Sequence, residues 1–70
     1  MERKRINSSK IRAVGYDSKA QTLEVEFSDG KVLAYRGVSP EVHRGLMVSP
    51  SPVSYWEDKI DENFSSQRVR

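Results

Sequence analysis

Apolar and polar residues alternate most clearly from Thr22 to Ser28, where Glu24, Glu26 and Ser28 separate Leu23, Val25 and Phe27. A period of two predicts a strand with one buried and one wet face. Asp29-Gly30 follows, and Lys31 to Arg36 reads as the returning strand of a hairpin. A two-residue loop would put Leu33 and Tyr35 on the face of Glu24 and Glu26. A three-residue loop, Ser28-Asp29-Gly30 with Gly30 left-handed, puts them with Leu23, Val25 and Phe27. A slip of one residue flips every side chain, so the apolar pattern predicts the three-residue loop.

Ile11 to Tyr16 reads as an earlier strand, from β-favouring Ile11, Val14 and Tyr16. Its apolar positions change face between Ala13 and Val14. Either a bulge near Gly15 switches the faces or both faces are partly covered. Asp17 to Gln21 is a polar turn. Beyond the hairpin, Ser39-Pro40-Glu41 predicts a helix start: a capping serine, a proline suited to the first turn, and an acid at the positive end of the dipole. That helix is expected over about residues 40–47, with Val42 and Leu46 facing the sheet and Gly45 weakening it unless close packing requires it. Ser49-Pro50-Ser51-Pro52 ends it. A second helix is predicted over residues 55–64, with Ser54 as its cap. It would bury Trp56, Ile60 and Phe64 and turn Glu57 and Asp61 to solvent. Residues 1–9 read as a flexible basic lead-in, 10–64 as one domain, and 65–70 as a loose tail.

The predicted fold is therefore α+β: a three-stranded antiparallel β-meander covered on one face by two short helices, β-β-β-α-α. With 70 residues, one domain is all the chain can build. The absence of cysteine excludes a Cys-based zinc site and a cysteine nucleophile, and it fits a reducing compartment. No apolar run approaches the ~20 residues of a membrane span. Met1 to Arg5 is basic but has no apolar segment behind it, so it does not read as a signal peptide. A cytoplasmic protein is expected.

Net charge is only +2, but its distribution is uneven. Arg3, Lys4, Arg5, Lys10 and Arg12 crowd the front, opposed by Glu2, while Glu57, Asp58, Asp61 and Glu62 make a late segment acidic. The molecule is dipolar rather than uniformly cationic.

Four stretches in this order resemble the KTSC domain family, over about residues 8–64. They are Ser8-Ser9-Lys10-Ile11 with Val14-Gly15-Tyr16-Asp17; Thr22 to Phe27 followed by Gly30; Val38-Ser39-Pro40-Glu41-Val42; and Ser51, Tyr55-Trp56 and Ile60. The family occurs at the C-terminus of some lysyl-tRNA synthetases and as single-domain bacterial proteins, and its suggested role is RNA binding. The chain departs from the family pattern at Leu33, which replaces the first tyrosine of a usual Tyr-x-Tyr and leaves only the second, Tyr35. It also departs at Val53 in place of glycine, at Glu57 in place of asparagine and at Asp61 in place of arginine. Asp61 makes the second helix a poor surface for phosphate.

The resemblance implies a small binding module for tRNA-like or single-stranded RNA. The residues that give it a physical basis are the basic Arg3, Lys4, Arg5, Lys10 and Arg12, the aromatic Tyr16, and Arg36 at a strand end. Against this, a basic terminus is often only a solubilising tail, and Arg36 is an ordinary edge charge. The alternative function is a protein-interaction adaptor, which the Glu24/Glu26 face and the acidic second helix fit better. Tyr35, Tyr55 and Trp56 are expected in the core. His43, the only histidine, is expected exposed on its helix, with neither metal partners nor a nucleophile beside it. No cofactor, no metal and no catalysis are expected.

Overall fold

The structure, a computed structural model, describes residues 3–6 and 8–70. Glu2, the acid of the N-terminal cluster, lies outside the described residues. The hairpin is formed by β3 (Thr22–Phe27) and β4 (Val32–Arg36), in the register the apolar pattern predicts. Leu23 pairs with Tyr35 and Val25 with Leu33, so all four share the inner face. The loop is Ser28-Asp29-Gly30. The Phe27 N–H donates to the Lys31 carbonyl across it, and Gly30 adopts φ +95°, which side chains rarely tolerate.

The strand β2 (Ile11–Asp17) pairs antiparallel with β3. It carries a bulge, but at Arg12 rather than near Gly15: Ile11 lies opposite Phe27 and Ala13 opposite Glu26, leaving Arg12 as the extra residue. The bulge brings Ile11, Val14 and Tyr16 onto the inner face. Ala13 and Gly15 go to the outer face, beside Glu26 and Glu24.

The sheet has five strands, not the expected three, in the order β1-β2-β3-β4-β5. Its edges come from the segments expected to be loose. β1 (Arg3–Arg5) pairs with β2, and β5 (Ser66–Arg68) pairs with β4. Neither edge strand has an apolar alternation. Both are held by backbone ladders, and β1 also by Arg3, which reaches Glu24 and Glu26 two strands away.

The two helices lie between β4 and β5 in the chain and cover the inner face. Helix α1 (Pro40–Val48) starts as predicted, with the Ser39 hydroxyl accepting from the Val42 N–H. Helix α2 (Pro52–Tyr55) begins earlier than predicted, with Ser51 rather than Ser54 at the cap position. It continues as a π-helical stretch over Trp56–Asp61. The Asn63 side chain closes that stretch by donating to the Asp58 and Lys59 carbonyls. The core joins Ile11, Val14, Leu23, Val25, Phe27 and Tyr35 of the sheet to Val38, Leu46, Trp56 and Ile60. Each such buried side chain contributes about 1.5–3 kcal/mol relative to exposure. Among the described residues no helix is long and apolar enough to cross a membrane.

Candidate functional site

The seven residues singled out for nucleic-acid contact do not form one patch. Arg3 and Arg12 belong to the outer side of the sheet, where they meet carboxylates. Arg3 donates to Glu24 at 2.8 Å and to Glu26 at 3.2 Å, and Arg12 lies 3.3 Å from Glu26. These two arginines are largely neutralised before any ligand arrives. Arg5, in register with Ala13, shares that outer face and is exposed. Lys10, just before β2, reaches over the π-helical stretch instead, its ammonium 5.0 Å from the centre of the Trp56 ring and 3.9 Å from Glu57. Arg36 is exposed beside Gln67 of β5, far from the others in the sheet order.

Lys4 and Tyr16 are brought together. Lys4 pairs with Val14 and therefore faces the side of the sheet that carries α1. Tyr16, two residues further along β2, lies on the same face. Its position is fixed twice: its hydroxyl donates to the Val38 carbonyl, and its ring stacks on the His43 ring with centroids 4.7 Å apart and planes 9° from parallel. Val38 is itself fixed by its N–H, which donates to the carbonyl of Gln21 at the turn after β2.

His43 is thus half-buried against the sheet rather than exposed, as the Val42/Leu46 stripe alone suggested. Sequence reasoning missed it together with Arg44. A signal was available: Pro40, His43 and Met47 recur at spacings of three and four and form a second stripe beside the first.

Lys4, Tyr16, Ser18, His43 and Met47 line two adjoining open hollows of about 350 and 450 Å³, and Pro40 and Arg44 complete the larger. The two share most of their lining and are open to solvent, so they form one shallow surface rather than an enclosed pocket. Among the described residues no carboxylate comes within 4.0 Å of the Lys4 or Arg44 charge. The electrostatics of the stack follow from burial. Partial desolvation lowers the proton affinity of His43, and the Lys4 ammonium lowers it further. Desolvation raises that of the Tyr16 phenol, and Asp17 adds to the effect. At neutral pH the hollow therefore presents two fixed cations beside an uncharged aromatic stack.

A separate hollow of about 310 Å³ lies under Lys10 and Lys31, floored by Phe27, Leu33 and Trp56. Its charges are mixed, with Asp29 and Asp61 on its rim. Beneath it the Trp56 indole donates to the Tyr35 hydroxyl at 2.9 Å, and that hydroxyl donates to Asp61 at 3.3 Å. This relay serves the core. Among the described residues no group of three or more His, Asp or Glu side chains is placed to hold a metal ion.

The KTSC domain profile matches residues 7–64, most of the chain. The chain belongs to the KTSC domain family. It is 45% identical over 51 residues to an uncharacterised protein of Stutzerimonas stutzeri (strain A1501), covering 73% of this chain and 72% of that one. The fold matches the crystal structure of a KTSC domain protein from Yersinia pestis with a TM-score of 0.93, covering 99% of this chain and 97% of the other at 27% identity. This KTSC domain therefore shares its fold with that protein over nearly the whole of both chains.

Proposed function

We propose that this KTSC domain is a non-catalytic binding module for single-stranded RNA, and that RNA lies in the hollow between β1, β2 and α1. One observation carries the reading: Lys4 and Arg44, both exposed and unopposed among the described residues, flank the stacked Tyr16 and His43 rings. Phosphates take point charges of this kind, and unpaired bases find flat aromatic or apolar surface beside them. Tyr16 acts here as a support for His43 and not as a free platform, because its hydroxyl and one ring face are already engaged.

The reading narrows the set of contact residues. Lys4 and Tyr16 remain in it, and His43 and Arg44 join it. Arg3 and Arg12 leave it because Glu24 and Glu26 hold them, Arg5 because it lies on the outer face, and Lys10 and Arg36 because they lie elsewhere. A protein adaptor is the second reading. Addition of a partner strand is disfavoured at both sheet edges, since Arg3-Lys4-Arg5 and Ser66-Gln67-Arg68 present only polar or charged side chains.

Two phosphate contacts give a shallow salt dependence, with a slope near −1.4 in log affinity against log salt for a single strand. Binding of a labelled oligouridylate, followed by fluorescence anisotropy, should weaken about sevenfold for a fourfold rise in salt. Replacing both Lys4 and Arg44 with alanine should remove most of that dependence. Binding that ignores salt, or that survives the double substitution unchanged, contradicts the reading and favours a protein partner.

A further inference from the structure

His43, the one histidine of the sequence, lies beside Lys4, stacks on Tyr16 and lines the hollow that Arg44 also lines. We propose that this hollow is a proton-linked anion site, in which seating an RNA phosphate between Lys4 and Arg44 and protonating the His43 imidazole strengthen one another. The proposal rests on the RNA reading above and adds to it a regulation by pH.

The groups around His43 come from three elements. Lys4 faces it from β1, Tyr16 from β2, and Arg44 is its neighbour on α1. Of the acids closest along the chain, Asp17 accepts from the Lys19 and Ala20 N–H groups in its turn. Glu41 shares a depression with Pro40 and Arg44 along the first turns of α1, without an ion pair within 4.0 Å among the described residues. With no anion present, a third positive charge beside Lys4 is unfavourable, which is the direction in which His43 is displaced from its ordinary proton affinity. Burial disfavours the imidazolium first and the Lys4 charge second; a bound phosphodiester opposes the second with a negative charge of its own. The Tyr16 ring face tolerates the imidazolium, since a π-face attracts a cation. Linkage is reciprocal, so whatever RNA does to the proton affinity of His43, the proton does to the RNA affinity.

The test uses the fact that the chain has one histidine, so its ring protons give a resolved proton NMR signal. The His43 titration midpoint is measured with and without saturating oligouridylate, whose phosphodiesters and bases do not titrate between about pH 5 and 8. RNA should raise the midpoint by about half to one pH unit, and affinity should rise about three- to tenfold on acidification across that range. In His43→Gln the ratio of affinities between the acid and alkaline ends should fall to about one, whatever the affinity at the alkaline end. RNA binding with an unmoved midpoint and a flat pH profile overturns the linkage while leaving the RNA reading intact. No binding at either end of the range overturns both.

Discussion

Arg3 and Glu24, 21 residues apart in sequence, form an ion pair of 2.8 Å across the outer face of the sheet. The pair makes β1 part of the fold and removes one arginine from the basic cluster. Both side chains stay partly solvated, so the pair is worth at most about 1 kcal/mol. Arg3→Ala should therefore lower stability in urea by no more than that and speed amide exchange in β1. Its effect on RNA affinity should be small beside that of Lys4→Ala. An Arg3 variant that loses RNA binding as Lys4→Ala does would place the contact on the outer face instead.

The Trp56 indole, the Tyr35 hydroxyl and Asp61 form the other long-range link, from helix to sheet. Trp56→Ala should cost about 3–5 kcal/mol, as for any large buried aromatic. Tyr35→Phe leaves the indole N–H without its acceptor and should cost about 1–3 kcal/mol. Burial pushes the Tyr35 phenol up to about 12 from its ordinary 10, with Asp61 adding to the effect. The folded chain thus keeps a proton that the unfolded chain releases first. This stabilising contribution is complete below about pH 10 and is lost as pH rises towards about 12. Urea unfolding followed over that window should fall more steeply for the native chain than for Tyr35→Phe. Equal slopes would mean that Tyr35 is not the titrating group.

Gly45 weakens α1 by its flexibility, and the reason for it is Tyr55. A methyl group at position 45 would fall on the Tyr55 hydroxyl, with the ring Cζ at 2.7 Å. Alanine normally stabilises a helix interior by about 1 kcal/mol over glycine. Here the gain should be cancelled or reversed, because the Tyr55 ring must give up its place against α1. Gly45→Ala alone should be neutral or destabilising in thermal melts, and pairing it with Tyr55→Ala should recover part of the helix gain.

What was legible in the sequence was local. The alternation of Leu23, Val25 and Phe27 fixed the register against Leu33 and Tyr35, because the wrong register would have turned two large side chains to the wet face. Ser39-Pro40-Glu41 marked a helix start that the structure keeps. The edge strands were not legible. Arg3-Lys4-Arg5 and Ser66-Gln67-Arg68 carry no apolar period, and what holds them is a backbone ladder to strands that are themselves placed by the core. The change of face in β2 fits either a bulge near Gly15 or two partly covered faces; the structure has a bulge, but at Arg12, where an exposed side chain accommodates the extra residue. The site was half legible. Lys4 and Tyr16 were visible as basic and aromatic residues, whereas His43 depends on where α1 lands on the sheet.

The claim that RNA occupies the hollow between Lys4 and Arg44 is tested most directly by amide NMR of the labelled domain titrated with oligouridylate at low salt. The account predicts shifts concentrated at Lys4, Tyr16, Ser18, His43, Arg44 and Met47, shrinking as salt rises. Shifts confined to Arg12, Arg36 and the outer face, or none in a well-dispersed spectrum, would contradict it.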